Sequence, residues 1–364
     1  MKKEYLVGLV VVVLIGAGLY FYIRNSSARY DVNRTPYSVL IGSNDAFAKG
    51  QQLLRTGQPD AAKAQFDQAL ASAKDKQQEG QIKFKIASAV EAGNNYGNYA
   101  ASIPLFKEIA ANTDYTPITR AYAIQELGLI YFNFTDPKIT QAIFSDDQFA
   151  KDRVAGDDLL SYRHLFEEAS KLYPLAASEL RIADWYANQI LAASDTGTKV
   201  PADDPYKTVI RTKLASAEND IARISKDDNE KTLLPVILQR KAIILAKLSI
   251  AGDDSFGNPW PIFDQALQLY QVRGVPQLDG YVRYSYASLL AKKYGDARSA
   301  DIQKILSPFY TGNTYTSAPV VSYFKNQRVS SPDNNRQYIL ALAKIDPKFK
   351  SWLESLGWQS SDFK

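Results

Sequence analysis

Residues 46–70 read AFAKGQQLLRTGQPDAAKAQFDQAL, two apolar stripes at helical spacing divided by the break Gly57-Gln58-Pro59-Asp60. On the first stripe Ala46, Phe47, Gly50, Leu53 and Leu54 recur at the intervals that place side chains on one helix face. Ala62, Phe66, Ala69 and Leu70 do the same on the second. Gly50 and Ala62 are small enough for two helices to approach closely, Phe66 fills the space between them, and Gly57 turns the chain. The stretch therefore predicts a helical hairpin.

The same pattern returns further along. Over about 80–112, Gly97, Ser102 and Phe106 echo Gly57, Ala62 and Phe66 at a spacing of 40 residues. Leu127-Gly128-Leu129-Ile130-Tyr131 starts a third unit. Its second helix comes late, after an insertion to about 154, where Phe166, Ala169 and Pro174 recover the ending. Phe263-Asp264-Gln265-Ala266-Leu267 repeats Phe66-Asp67-Gln68-Ala69-Leu70 almost letter for letter. One hairpin cannot bury its stripe alone, so recurrence predicts a stack in which each pair covers the next.

These residues resemble the tetratricopeptide repeat, whose signature sets a Gly and an aromatic on the first helix against Ala and Phe on the second. Ala46 and Leu53 depart from it, standing where the family often has Trp and Tyr. The resemblance covers 43–174 well, continues as degenerate hairpins over 175–317, and leaves 318–364 as capping helices that carry Trp352 and Trp358. It implies an all-α solenoid with a groove lined by the first helix of each pair. That nominates Asn44, Phe47 and Gln51, then Phe84 and Glu91, then Tyr122, Gln125 and Leu129 as partner-contacting residues. The Lys and Asn set with which some relatives grip a terminal carboxylate is missing, so that ligand is not expected.

Ahead of the repeats, Tyr5 to Ile23 is an uncharged run, YLVGLVVVVLIGAGLYFYI. At 1.5 Å per residue a helix of that length spans about 28 Å, the thickness of a bilayer core. Tyr5 at one end and Tyr20, Phe21 and Tyr22 at the other supply interfacial rings. A cleaved secretory signal has a shorter apolar region ending in small residues, whereas this one is long and ends in aromatics. Residues 1–23 are therefore expected to anchor the chain in a membrane as a single-pass helix, with 24–42 as a polar linker. Lys2 and Lys3 oppose Arg24, Arg29 and Arg34, so charge scarcely orients the helix. The short tail before a long body favours an extracytoplasmic body.

Composition narrows the chemistry. The 364 residues are 46% hydrophobic and 23% charged, enough for packed cores, and no Cys occurs, which excludes disulfides and thiolate metal sites. The net charge of +4 is dispersed, so no nucleic-acid role is expected. His164 is the sole His, read as structural or solvent-facing. The doublets Asp146-Asp147, Asp157-Asp158, Glu167-Glu168, Asp203-Asp204, Asp227-Asp228 and Asp253-Asp254 do not converge, because neighbours on a helix point about 100° apart; most suit caps instead. No nucleotide or calcium loop appears, and no cofactor, metal or small-molecule ligand is expected. Asn25, Asn33 and Asn133 begin N-x-Ser/Thr triplets that matter only in a glycosylating host.

The expectation is thus a non-enzymatic, membrane-tethered scaffold that binds other proteins in an envelope assembly of the secretion or pilus kind. Two alternatives stand beside it. Tyr281, Tyr284 and Tyr286, with Tyr310, Tyr315 and Tyr323, would bind envelope glycan if they faced outward and serve packing if they did not. A carboxylate-dependent glycan-cleaving enzyme would need two carboxyl groups meeting in a cleft, one of them raised in pKa.

Overall fold

The computed structural model describes residues 45–93, 99–133, 158–227, 230–272, 279–312, 315, 319–328 and 334–363. Among these it is all helical. The run Tyr5–Ile23, the linker, Asn44 and Gly97 lie outside the described residues. No described helix is long and apolar enough to cross a membrane. The chain forms two compact units divided between Tyr173 and Pro174.

The first unit holds α1 (Asp45–Arg55), α2 (Pro59–Ala71), α3 (Lys76–Ala92), α4 (Tyr99–Ala111), α5 (Pro117–Asn133) and α6 (Asp158–Leu172). The α1–α2 turn forms as the spacing predicts. Gly57 takes φ +73°, and the Gln58 amide donates back to the Leu53 carbonyl at 2.9 Å. Pro59 then starts α2, where its missing N–H costs nothing. Asp75 caps α3 by accepting from the Gln78 amide at 2.7 Å.

Packing follows pairs. Phe66 lies against Gly50, where an added Cβ would come within 2.7 Å of the ring, and Phe166 lies against Gly128 in the same manner at 3.0 Å. Phe47, Ala62, Phe66 and Ala69 of the first pair are then closed over by Ile82, Ile86 and Ala89 of α3. On its other flank α3 presents Phe84 to Phe106 of α4, at 5.5 Å, and to Tyr122 of α5, at 6.1 Å. A first helix is thus buried on two sides, by its own partner and by the pair before it. The Gly50 contact gives a test: Gly50→Ala should destabilise the first unit by about 1–3 kcal/mol through overpacking, read from chemical denaturation followed by far-UV circular dichroism. An unchanged midpoint would refute it.

The second unit holds α7 (Ala176–Asp195), α8 (Pro205–Ile224), α9 (Leu234–Ile250), α10 (Trp260–Val272), α11 (Gly280–Tyr294), α12 (Ser299–Tyr310), α13 (Pro319–Gln327), α14 (Asn334–Ile345) and α15 (Pro347–Ser355). Pairing continues. Ile237, Ile244 and Leu248 of α9 pack on α7 and α8, while Leu238, Ala242 and Ala246 of the same helix join the core made with α10 and α11. Phe263 and Ala266 are fully buried on α10, as Phe66 and Ala69 are on α2, so the internal echo marks equivalent core positions. The surroundings differ: Phe263 stacks on Tyr286 of α11 at 4.8 Å instead of meeting a glycine.

Candidate functional site

Two-sided burial leaves each first helix only a narrow strip for polar side chains. On α3 that strip is Gln77, Gln81, Lys85, Ser88 and Glu91, which succeed one another at steps of three and four. On α5 the corresponding strip carries Gln125, Glu126 and Leu129. Among the described residues, buried polar side chains of this unit gather on first helices: Gln51 on α1, Gln77, Gln81 and Lys85 on α3, Thr119 and Gln125 on α5, with Ser102 of α4 as the exception.

The strips bring two carboxyl groups into electrostatic contact. Burial, and then the Glu126 charge, push the Glu91 carboxyl up from 4.5 to about 8. Burial pushes Glu126 up to about 7, with the Lys85 ammonium pulling the other way. Lys85 offsets part of the charge on Glu126, so near neutrality the pair favours one protonated and one ionised carboxyl.

The nominated groove residues fare unequally. Glu91 and Leu129 are half-buried on the strips, and Gln51 and Gln125 are buried polar groups beside them. Phe47, Phe84 and Tyr122 are 2% exposed or less and pack between helices. Asn44 lies outside the described residues. Sequence reasoning missed Glu126 and Lys85. It sought carboxyl pairs among adjacent residues, whereas this pair is 35 positions apart and meets only because α3 packs beside α5.

A second charged cluster sits on first helices of the other unit. Asp184 of α7 accepts from Arg240 at 2.8 Å and Lys247 at 2.5 Å, both on α9. Those cations, with Arg181, hold its carboxyl down to about 2 despite burial. Burial lowers Lys247 in turn.

Several other candidates cap helices, pair locally or pack in the core. The His164 side chain is 62% exposed and meets Glu168 one turn on at 2.8 Å. Asp204 caps α8 through the Tyr206 amide, and Asp253 accepts from the Ser255 amide and pairs with Lys207 at 2.7 Å. Tyr284, Tyr286 and Tyr315 are buried; Tyr310 and Tyr323 are half-buried, and Tyr281 is 37% exposed. Among the described residues no group of three or more His, Cys, Asp or Glu side chains converges as a metal site would require.

No family model, curated protein or solved structure matches the chain.

Proposed function

We propose that this chain is a membrane-tethered scaffold of tetratricopeptide type, binding partner proteins along its first-helix strips within an envelope-associated assembly such as secretion or pilus machinery. The observation that carries the reading is the Glu91–Glu126 pair. A helix that needed only to stack would do better with apolar groups there, since burying charge without full compensation costs stability. A partner that brings a Lys or Arg side chain to the pair removes that cost on docking. The apolar run Tyr5–Ile23 supplies the tether, with the repeats outside the cytoplasm.

The test is a photo-crosslinking residue placed at Leu129, beside Glu126 on the α5 strip, in the full-length chain in its own membrane. Defined protein adducts are expected, reduced about tenfold when Glu91→Gln and Glu126→Gln are combined. Adducts confined to lipid, or insensitive to the double substitution, would count against the reading.

The same pair favours one rival, carboxylate-dependent glycan cleavage, because a protonated acid beside a carboxylate is the equipment such hydrolysis uses. That rival requires turnover of polysaccharide that Glu91→Gln abolishes. An absence of turnover across pH 5 to 8 removes it.

A further inference from the structure

On the last helices, an open cleft of about 540 Å³ lies between the end of α12 and the face of α15. That volume suits one or two sugar rings. Its floor is aromatic: Phe309 is buried, while Tyr310 and Trp352 are half-buried. Trp352 is held from below by rings, with Phe309 at 5.0 Å, Phe324 at 5.3 Å and Phe349 at 5.5 Å, so its indole is fixed in place before any ligand arrives.

The polar groups are arranged for a ligand with acceptors and hydroxyls. The Trp358 indole N–H is used internally, donating to the Phe324 carbonyl at 3.1 Å. That of Trp352 has no partner among the described residues. Ser351 and Ser355 donate their hydroxyl protons to the Pro347 and Trp352 carbonyls, at 3.1 and 2.6 Å, which leaves their oxygens as acceptors. Among the described residues the rim carries one cation, Lys348, which is exposed and forms no ion pair, and no carboxylate lines the cleft. Behind the cleft, the Tyr310 hydroxyl donates to the Gln303 carbonyl at 3.2 Å, and Asp346 accepts from the amides of Lys348 and Phe349 through one oxygen while the other is buried.

We propose that this cleft binds a saccharide ring bearing a carboxylate. The ring stacks on Trp352 and Tyr310, its hydroxyls donate to Ser351 and Ser355, and the carboxylate meets Lys348. An aromatic floor alone would take many apolar groups. The added cation and serine acceptors select a ring that is both hydroxylated and anionic. The site lies on other helices from the strips proposed for partner docking, so either can fail without the other.

The experiment titrates the full-length chain in detergent with glucuronate, glucose, acetate and N-acetylphenylalanine, read by tryptophan fluorescence. Glucuronate should bind saturably and about tenfold more tightly than the other three. Lys348→Met, an exposed position, should bring glucuronate down to the level of glucose, and Trp352→Phe should weaken both sugars. Three results would each overturn the proposal: no saturable glucuronate binding, acetate or N-acetylphenylalanine matching glucuronate, or glucuronate binding unaltered in Lys348→Met.

Discussion

Raising the pH from about 5.5 to about 8 should lower the melting temperature of the α1–α6 unit by about 5–10 °C, the opposite of what salt-bridged carboxylates produce. Glu91 and Glu126 hold their protons more tightly folded than unfolded, where a Glu titrates near 4.5. Between 4.5 and the folded values of about 7 and 8, the native state therefore binds more protons than the unfolded chain. Stability falls as pH rises through that window and levels off above it. A tenfold difference in proton affinity between the folded and unfolded chain is worth about 1.4 kcal/mol, so the pair, even after solvent screening, contributes on the order of a few kcal/mol.

The tryptophans make the effect assignable. Trp185, Trp260, Trp352 and Trp358 all follow Tyr173, so fluorescence reports the second unit alone, whereas circular dichroism reports helices of both. The pH-dependent change should appear in dichroism and be absent from fluorescence. Combining Glu91→Gln with Glu126→Gln should flatten it. If the melting temperature is constant across the window, or the double variant keeps the slope, the pair is not buried together as described.

The origin of that site shows what a single chain reveals. The hairpin at 46–70 was legible because its contacts are local: Gly50, Gly57 and Phe66 lie within one turn and two helices of each other, and each is a residue type with a single good use there. Gly128 against Phe166 was legible across a long insertion because the signature spans the pair. The α3 and α5 strips were legible in phase, since Glu91, Gln125 and Leu129 fall on them. Their degree of burial was not, because it depends on how closely the next pair packs. Phe84 shows why: nothing in its spacing tells that Phe106 and Tyr122 close over the ring. Charges that meet between helices are still less legible. Lys85 and Glu126 read as ordinary helix surface until α3 and α5 are set side by side.

Asp184→Ala should destabilise the second unit by about 2–4 kcal/mol, the cost of leaving the largely buried Lys247 and the partly exposed Arg240 without their carboxylate. The intact cluster is worth far less than this loss suggests. Its attraction holds Asp184 down, which stabilises the fold at any pH above the unfolded value of 3.8 and is lost only as pH falls toward about 2. Burial lowers Lys247, which opposes folding wherever that amine stays charged. The two contributions offset each other, so the pair adds little net stability while each member depends on the other. Removing both partners should accordingly hurt less than removing one: Asp184→Ala with Lys247→Met should recover at least about 1 kcal/mol over Asp184→Ala alone. Guanidinium denaturation followed by tryptophan fluorescence measures both, because the cluster and every tryptophan belong to the same unit. Additive losses would mean that the two side chains do not share one electrostatic site. Full tolerance of Asp184→Ala would mean that solvent screens both cations once the carboxylate is gone.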